Sequence, residues 1–126
     1  MKENILEQAI KRDITRARLL WVGHNGPTKS LRDFLSQRCF VVDHAANMRK
    51  ALEMMEGNTY DFVLLDLRRF DRNRLSSLSQ LARGSAPVVA VNGEPSIPCV
   101  VKAIRAGALD YLPEPLVAEQ LLEIIL

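Results

Sequence analysis

The residue of this sequence best placed to do chemistry is Asp66, an acid at the end of the apolar run Phe62-Val63-Leu64-Leu65. A carboxylate in that position can accept a group covalently, ligate a cation or pair with a guanidinium. Arginines follow it at once: Arg68, Arg69, Arg72 and Arg74. Guanidinium groups bind phosphate or carboxylate in bidentate fashion. The arginine loop therefore brings charge to a bound anion, stays solvated, or pairs with Asp66 and fixes the loop in one state. The last case makes Asp66 a brace. Three further polar segments close apolar runs: Gly23-His24-Asn25, Asn92-Gly93 and Glu114 between Pro113 and Pro115. His24, Asp66 and Glu114 offer one imidazole and two carboxylates, a ligand set suited to a divalent transition metal. Against that, the flanking prolines favour an outward Glu114, and a lone histidine at a strand end more often meets solvent or backbone. No acid–base pair, no nucleophile with a base and no phosphate-cradling glycine loop is present, so an independent enzyme is not expected.

These residues need elements to bring them together. Leu19-Leu20-Trp21-Val22, ended by Gly23, reads as a short strand buried on both faces. Phe40-Val41-Val42, the run into Asp66, Pro87–Val91 and Leu109–Leu112 repeat the signal. Helical spacing falls between them. Leu31, Phe34 and Leu35 mark a helix begun at Pro27-Thr28, and Met48, Ala51, Leu52 and Met55 mark one closed by Gly57-Asn58. Leu75, Leu78 and Leu81-Ala82 mark a helix stopped by Gly84. Val100, Val101, Ile104 and Arg105 mark one ending at Gly107, and residues 116–126 begin the last. Five strands alternating with five helices across short loops predict an α/β fold with a parallel sheet covered on both faces. The flavodoxin-like order 2-1-3-4-5 is the natural choice, and such sheets carry their working site at the carboxyl ends of the strands. All four polar segments lie at those ends. His44, after the second strand, is expected away from the centre of that edge. An amphipathic helix over residues 3–15, with Ile5, Leu6, Ala9, Ile10 and Ile14 as its apolar stripe, precedes the fold. The expected division is thus 1–16 as an extension and 17–126 as the domain.

Composition sets the bounds. The 126 residues suit one core, with 48% hydrophobic and 25% charged residues. Seventeen basic and 15 acidic residues give a net charge of +2, too balanced to imply a nucleic-acid or membrane surface. No apolar run approaches the roughly 20 residues of a membrane helix, and the start Met1-Lys2-Glu3-Asn4 is no signal-peptide core. Cys39 and Cys99 show no metal-type spacing and read as buried or half-buried small hydrophobes in a reducing cytoplasm.

Three motifs now carry a resemblance. Tyr60-Asp61-Phe62-Val63-Leu64-Leu65-Asp66-Leu67 resembles the segment that presents the phosphoacceptor aspartate of bacterial response-regulator receiver domains. Pro87–Gly93 is similar to the strand that ends there in Thr-Ala or Ser-Ala. Ala106-Gly107-Ala108-Leu109-Asp110-Tyr111-Leu112-Pro113-Glu114-Pro115-Leu116 is close to that family's Gly-Ala-x-Asp-Tyr-Leu-x-Lys-Pro-Phe. The motifs stand in the right order on the right elements, and the likeness covers residues 18–126. It implies a receiver fold, with Asp66 as the phosphoacceptor equivalent and Tyr111 at the switch-tyrosine position.

The departures redirect the functional expectation. Gly23 and His24 stand where the family carries its magnesium-holding acids, and Asn92 replaces the switch hydroxyl. Glu114 replaces the lysine, and Arg69-Phe70 and Arg74 replace the Met-Pro and glycine of the following loop. Magnesium prefers hard oxygen ligands and carboxylates, so its binding is expected to be weak or absent. Asn92 either hydrogen-bonds a phosphoryl oxygen, bonds Asp66, or caps its loop; Glu114–Pro115 is either cis or trans. The expected function is a phosphorylation-independent regulatory and dimerisation module. Its face, by resemblance, comprises Lys102, Arg105, Asp110, Tyr111 and Glu119. The alternatives are a true phosphoacceptor with an arginine-assisted pocket, and a sensor that binds a small ligand or anion in the same crevice. The apolar end Leu121–Leu126 suggests an attached effector, of AAA+ or DNA-binding type, in a cytoplasmic transcriptional regulator. The domain itself is not expected to touch nucleic acid.

Overall fold

The computed structural model describes residues 17–68 and 73–126. The expected helix over residues 3–15, together with Arg69, Phe70 and Arg72, lies outside the described residues. Five strands, β1 (Ala17–Val22), β2 (Phe40–Ala45), β3 (Phe62–Asp66), β4 (Val88–Gly93) and β5 (Asp110–Pro113), form one parallel sheet in the order β2-β1-β3-β4-β5. Between and after them run α1 (Lys29–Ser36), α2 (Met48–Gly57), α3 (Asn73–Ala82), α4 (Ile97–Arg105) and α5 (Ala118–Ile125).

Alternation along the central strands splits the core in two. On one face Leu20, Val22, Val63, Leu65, Val88 and Ala90 pack with Ala51, Leu78, Leu81 and Ala103 of α2, α3 and α4. On the other Leu19, Trp21, Leu64, Val89 and Val91 pack with Leu31 and Leu35 of α1 and with Leu121 and Ile125 of α5. Every residue of β3 and β4 is buried, as continuous apolar runs in a doubly covered parallel sheet require. Helix starts follow local chemistry: Thr28, Asn47 and Ser96 each accept a backbone N–H from the third residue beyond. Ser96 and the Pro98 in the first turn start α4 three residues before the expected Val100.

Two departures from expectation arise at strand and helix ends. β2 runs three residues past Val42, because Asp43 and His44 pair in register with Leu20 and Trp21 of β1. Cys39 is exposed rather than buried: it occupies the left-handed turn between α1 and β2, at φ 68. Cys99 is half-buried, its thiol 3.3 Å from a Glu94 carboxylate oxygen. Toward the amino ends of β1 and β3, Arg18 pairs with Asp43 at 2.7 Å and lies over the Tyr60 ring. Tyr60 donates to the same carboxylate at 2.8 Å. Among the described residues no helix is long and apolar enough to cross a membrane.

Candidate functional site

The carboxyl ends of β1, β3, β4 and β5 meet at one edge of the sheet. Asp66 closes β3 and is only 3% exposed. A buried carboxylate needs compensation, and Arg68 supplies it. The Arg68 backbone N–H donates to Asp66 Oδ1 at 2.9 Å; its Nε lies 2.9 Å from Oδ2 and 3.1 Å from Oδ1, and its second guanidinium nitrogen 2.5 Å from Oδ2. This fork holds both carboxylate oxygens, the geometry in which arginine binds anions most strongly. Hydrogen bonding to Asp66 pushes the already basic guanidinium higher still, the nearby charges of Asp66 and Glu114 add to it, and burial opposes them.

The neighbouring backbone is fitted to that arrangement. A β-carbon on Gly23 would fall 2.7 Å from the Asp66 β-carbon, so β1 approaches β3 closer than any side chain at position 23 permits. Gly23 is fixed on its other side by its N–H to Ala45 and by a 2.8 Å contact between its carbonyl and His44 Nε2. His44 does not line the central crevice, but β2 is long enough to carry it to the Gly23 carbonyl. Asn92 adopts φ 58, and its side-chain oxygen accepts from the Leu116 backbone N–H at 3.3 Å. Of the roles open to it, the structure thus shows a loop tie rather than a bond to Asp66. The Glu114–Pro115 bond is cis, and the Glu114 N–H donates to the Gly93 carbonyl at 2.9 Å.

A polar crevice of about 280 Å³ opens over these ends, lined by His24, Asn25, Asp66, Arg68, Arg74 and Glu114. Glu114, though exposed, faces this crevice instead of turning away from it. His24, Asp66 and Glu114 share the crevice, yet no metal-holding group of three such residues forms among those described. Arg69 and Arg72 are outside the described residues. Gly23 is buried under Asp66, Asn92 is turned toward Leu116, and Gly93 lies against Tyr111; none of these three lines the crevice.

Tyr111 is buried and donates its hydroxyl to the Glu94 carbonyl at 2.8 Å. A β-carbon on Gly93 would collide with that hydroxyl, so the glycine makes the inward ring position available. Burial, then the negative charges near it, push the Tyr111 phenol upward. Lys102, Arg105, Asp110 and Glu119 are all exposed. Sequence reasoning missed the apolar residues among them. Ile97 is 79% exposed, and Val101, Ile104 and Leu109 are also exposed. Val101 and Ile104 marked this helix in the sequence, and Ala103 takes its core position. The spacing 97, 101, 104 was the available signal, one stripe beside the inward one. A second opening, about 430 Å³ between α1 and the start of α5, was also not legible.

Comparison with known proteins agrees with this fold. The profile described as "Response regulator receiver domain" matches residues 24–126. The transcriptional regulatory protein ZraR of Klebsiella oxytoca is 34% identical over 74 residues, 57% of this chain and 17% of that protein. The chain thus spans about a sixth of that relative's length. A response regulator from Burkholderia pseudomallei, solved with a phosphorylated aspartic acid, a calcium ion and citrate, superposes with a TM-score of 0.74 at 26% identity, covering 87% of this chain and 66% of that one. The beryllofluoride-activated NtrC4 receiver domain dimer gives 0.73 at 26% identity, covering 86% and 92%.

Proposed function

This chain belongs to the response regulator receiver family of two-component signalling, and we propose that it serves there as a phosphorylation-independent regulatory module. The observation that carries this reading is the Arg68 fork on Asp66. A phosphoryl group reaching Asp66 needs a free carboxylate oxygen and a cation to neutralise the transferred oxygens. Here both oxygens are engaged, and the guanidinium is spent on the acceptor itself. The donor set does not suit magnesium: Gly23 has no side chain, His24 offers an imidazole, and Asp66 is held by Arg68. Glu114, where the family resemblance implies a lysine, would repel an incoming phosphate.

Output then passes through a surface. The stripe Ile97, Val101 and Ile104 is apolar and exposed, as are Lys102 and Arg105 on α4, and the family resemblance assigns the exposed acids Asp110 and Glu119 to the same face. Opposite charges flanking one apolar patch suit a two-fold contact between copies, since each copy presents both halves. The NtrC4 receiver in the comparison is itself a dimer. The attached output domain is a transcriptional effector of AAA+ or DNA-binding type, in the cytoplasm, and the module has no catalytic activity and no nucleic-acid contact of its own.

Acetyl phosphate with magnesium tests this. Intact-mass measurement is expected to show no phosphoryl adduct, while a conventional receiver run in parallel is modified. A stable adduct at Asp66 would establish the arginine-assisted phosphoacceptor in its place.

A further inference from the structure

The second opening, between α1 and the start of α5, is distinct from the polar crevice but shares two residues with it, Arg68 and Glu114. Its other lining is mainly apolar: Trp21 on the floor, Leu31 and Phe34 from α1, and Leu116 from the loop before α5. The floor is rigid, because Trp21 is 1% exposed and its indole N–H donates to the Asn25 carbonyl at 2.9 Å. A preformed apolar cleft of about 430 Å³ with a few polar groups at one end has the size and character of a small-ligand site.

Among the described residues the shared end holds one guanidinium, Arg68, and one carboxylate, Glu114, and the guanidinium is committed elsewhere. Asp66 takes it through two nitrogens, and Glu114 keeps only longer-range attraction, with no hydrogen-bond partner for its carboxylate among the described residues. Among the described residues Arg74 lines the crevice but not the cleft. An arriving anion would meet Glu114 and compete with Asp66 for Arg68. An arriving ammonium would meet a carboxylate whose partner is already committed.

We infer that this cleft binds a small amphiphilic amine, its aromatic or branched aliphatic body on Trp21, Leu31 and Phe34 and its ammonium on Glu114. The site joins α1 to the loop before α5, so occupancy ties together two elements that pack on the same sheet face. That the ligand is the domain's input rests on the phosphorylation-independent reading; that the cleft binds it does not.

The 126-residue chain, labelled with nitrogen-15, is titrated with three probes of one shape: phenethylamine, phenethyl alcohol and hydrocinnamate. Phenethylamine is expected to shift the Trp21 indole N–H and the Leu31, Phe34 and Leu116 amides, and to bind best of the three. Glu114→Gln removes an exposed charge partner and is expected to weaken the amine about five-fold while leaving the alcohol unchanged. Ala118→Leu, which fills the cleft from its α5 wall, abolishes binding of all three in a chain whose spectrum remains folded. Shifts from no probe, or strongest binding by hydrocinnamate, overturn the inference. Should Asp66 accept phosphate from acetyl phosphate while the amine still binds, the proposed function falls and the site stands.

Discussion

At the scale of single residues, the pocket is organised around one ion pair and the glycine that makes room for it. Asp66 is nearly inaccessible, and Arg68, its side chain 34% exposed, closes it from outside. Removing one partner of such a pair strands the other. Arg68→Ala is expected to destabilise the fold by about 1–3 kcal/mol in urea unfolding, below the full cost of breaking a buried pair because the guanidinium is partly solvated. Asp66→Ala/Arg68→Ala together should cost less than the sum of the two single changes, since both remove the same contact. Additive costs would mean that the pair is not a unit. Gly23→Asp restores the family's acid but drives a side chain into Asp66. It is expected to lower Tm and not to create magnesium binding, measured by thermal melts with and without the metal. Asp66 and the arginine run were legible in the sequence; which arginine closes on it was not, because the fork depends on the turn taken after Leu67.

At the scale of elements, strand ends decide what each loop can reach. The five strands and five helices were readable from apolar runs and from caps such as Thr28 and Asn47, each a local signal. The length of β2 was not readable. Asp43 and His44 look like loop residues, yet register with β1 keeps them in the sheet and places His44 under Gly23. The outward face of α4 was not legible for a related reason: its apolar residues cover two stripes, and only packing on β4 and α3 selects Ala103 for the core. The Arg18–Asp43–Tyr60 cluster, also assembled by β2 register, carries a pH prediction. Burial, then the hydrogen bond and charge of Asp43, push the Tyr60 phenol up to about 12 from 10.0, while Arg18 opposes them. A phenol raised in the folded state contributes stability that is complete below pH 10 and is lost as pH rises from 10 towards 12. Unfolding free energy should therefore decline across that window, and Tyr60→Phe should flatten the decline. A slope unchanged by Tyr60→Phe would remove the cluster from the account.

At the scale of the whole molecule, a receiver fold carries internal bonds at its strand ends. Asp66 is tied to Arg68, Asn92 to Leu116, Gly23 to His44, and Tyr111 to Glu94. Each tie joins the end of a strand to a neighbouring strand or loop. The surface that remains is the apolar stripe of α4. The proposed two-fold contact predicts concentration-dependent self-association in sedimentation velocity, which Val101→Glu with Ile104→Glu is expected to abolish without lowering Tm, because both side chains are exposed. Persistence of the self-association would place the contact elsewhere. The most direct test of the central claim watches the ion pair itself. Nitrogen-15 spectra of the Arg68 backbone and Nε–H groups are recorded while beryllofluoride and magnesium are added together. The account predicts that both signals stay in place and that the Nε–H remains protected from exchange. Their loss or movement, with beryllium bound at Asp66, would contradict it.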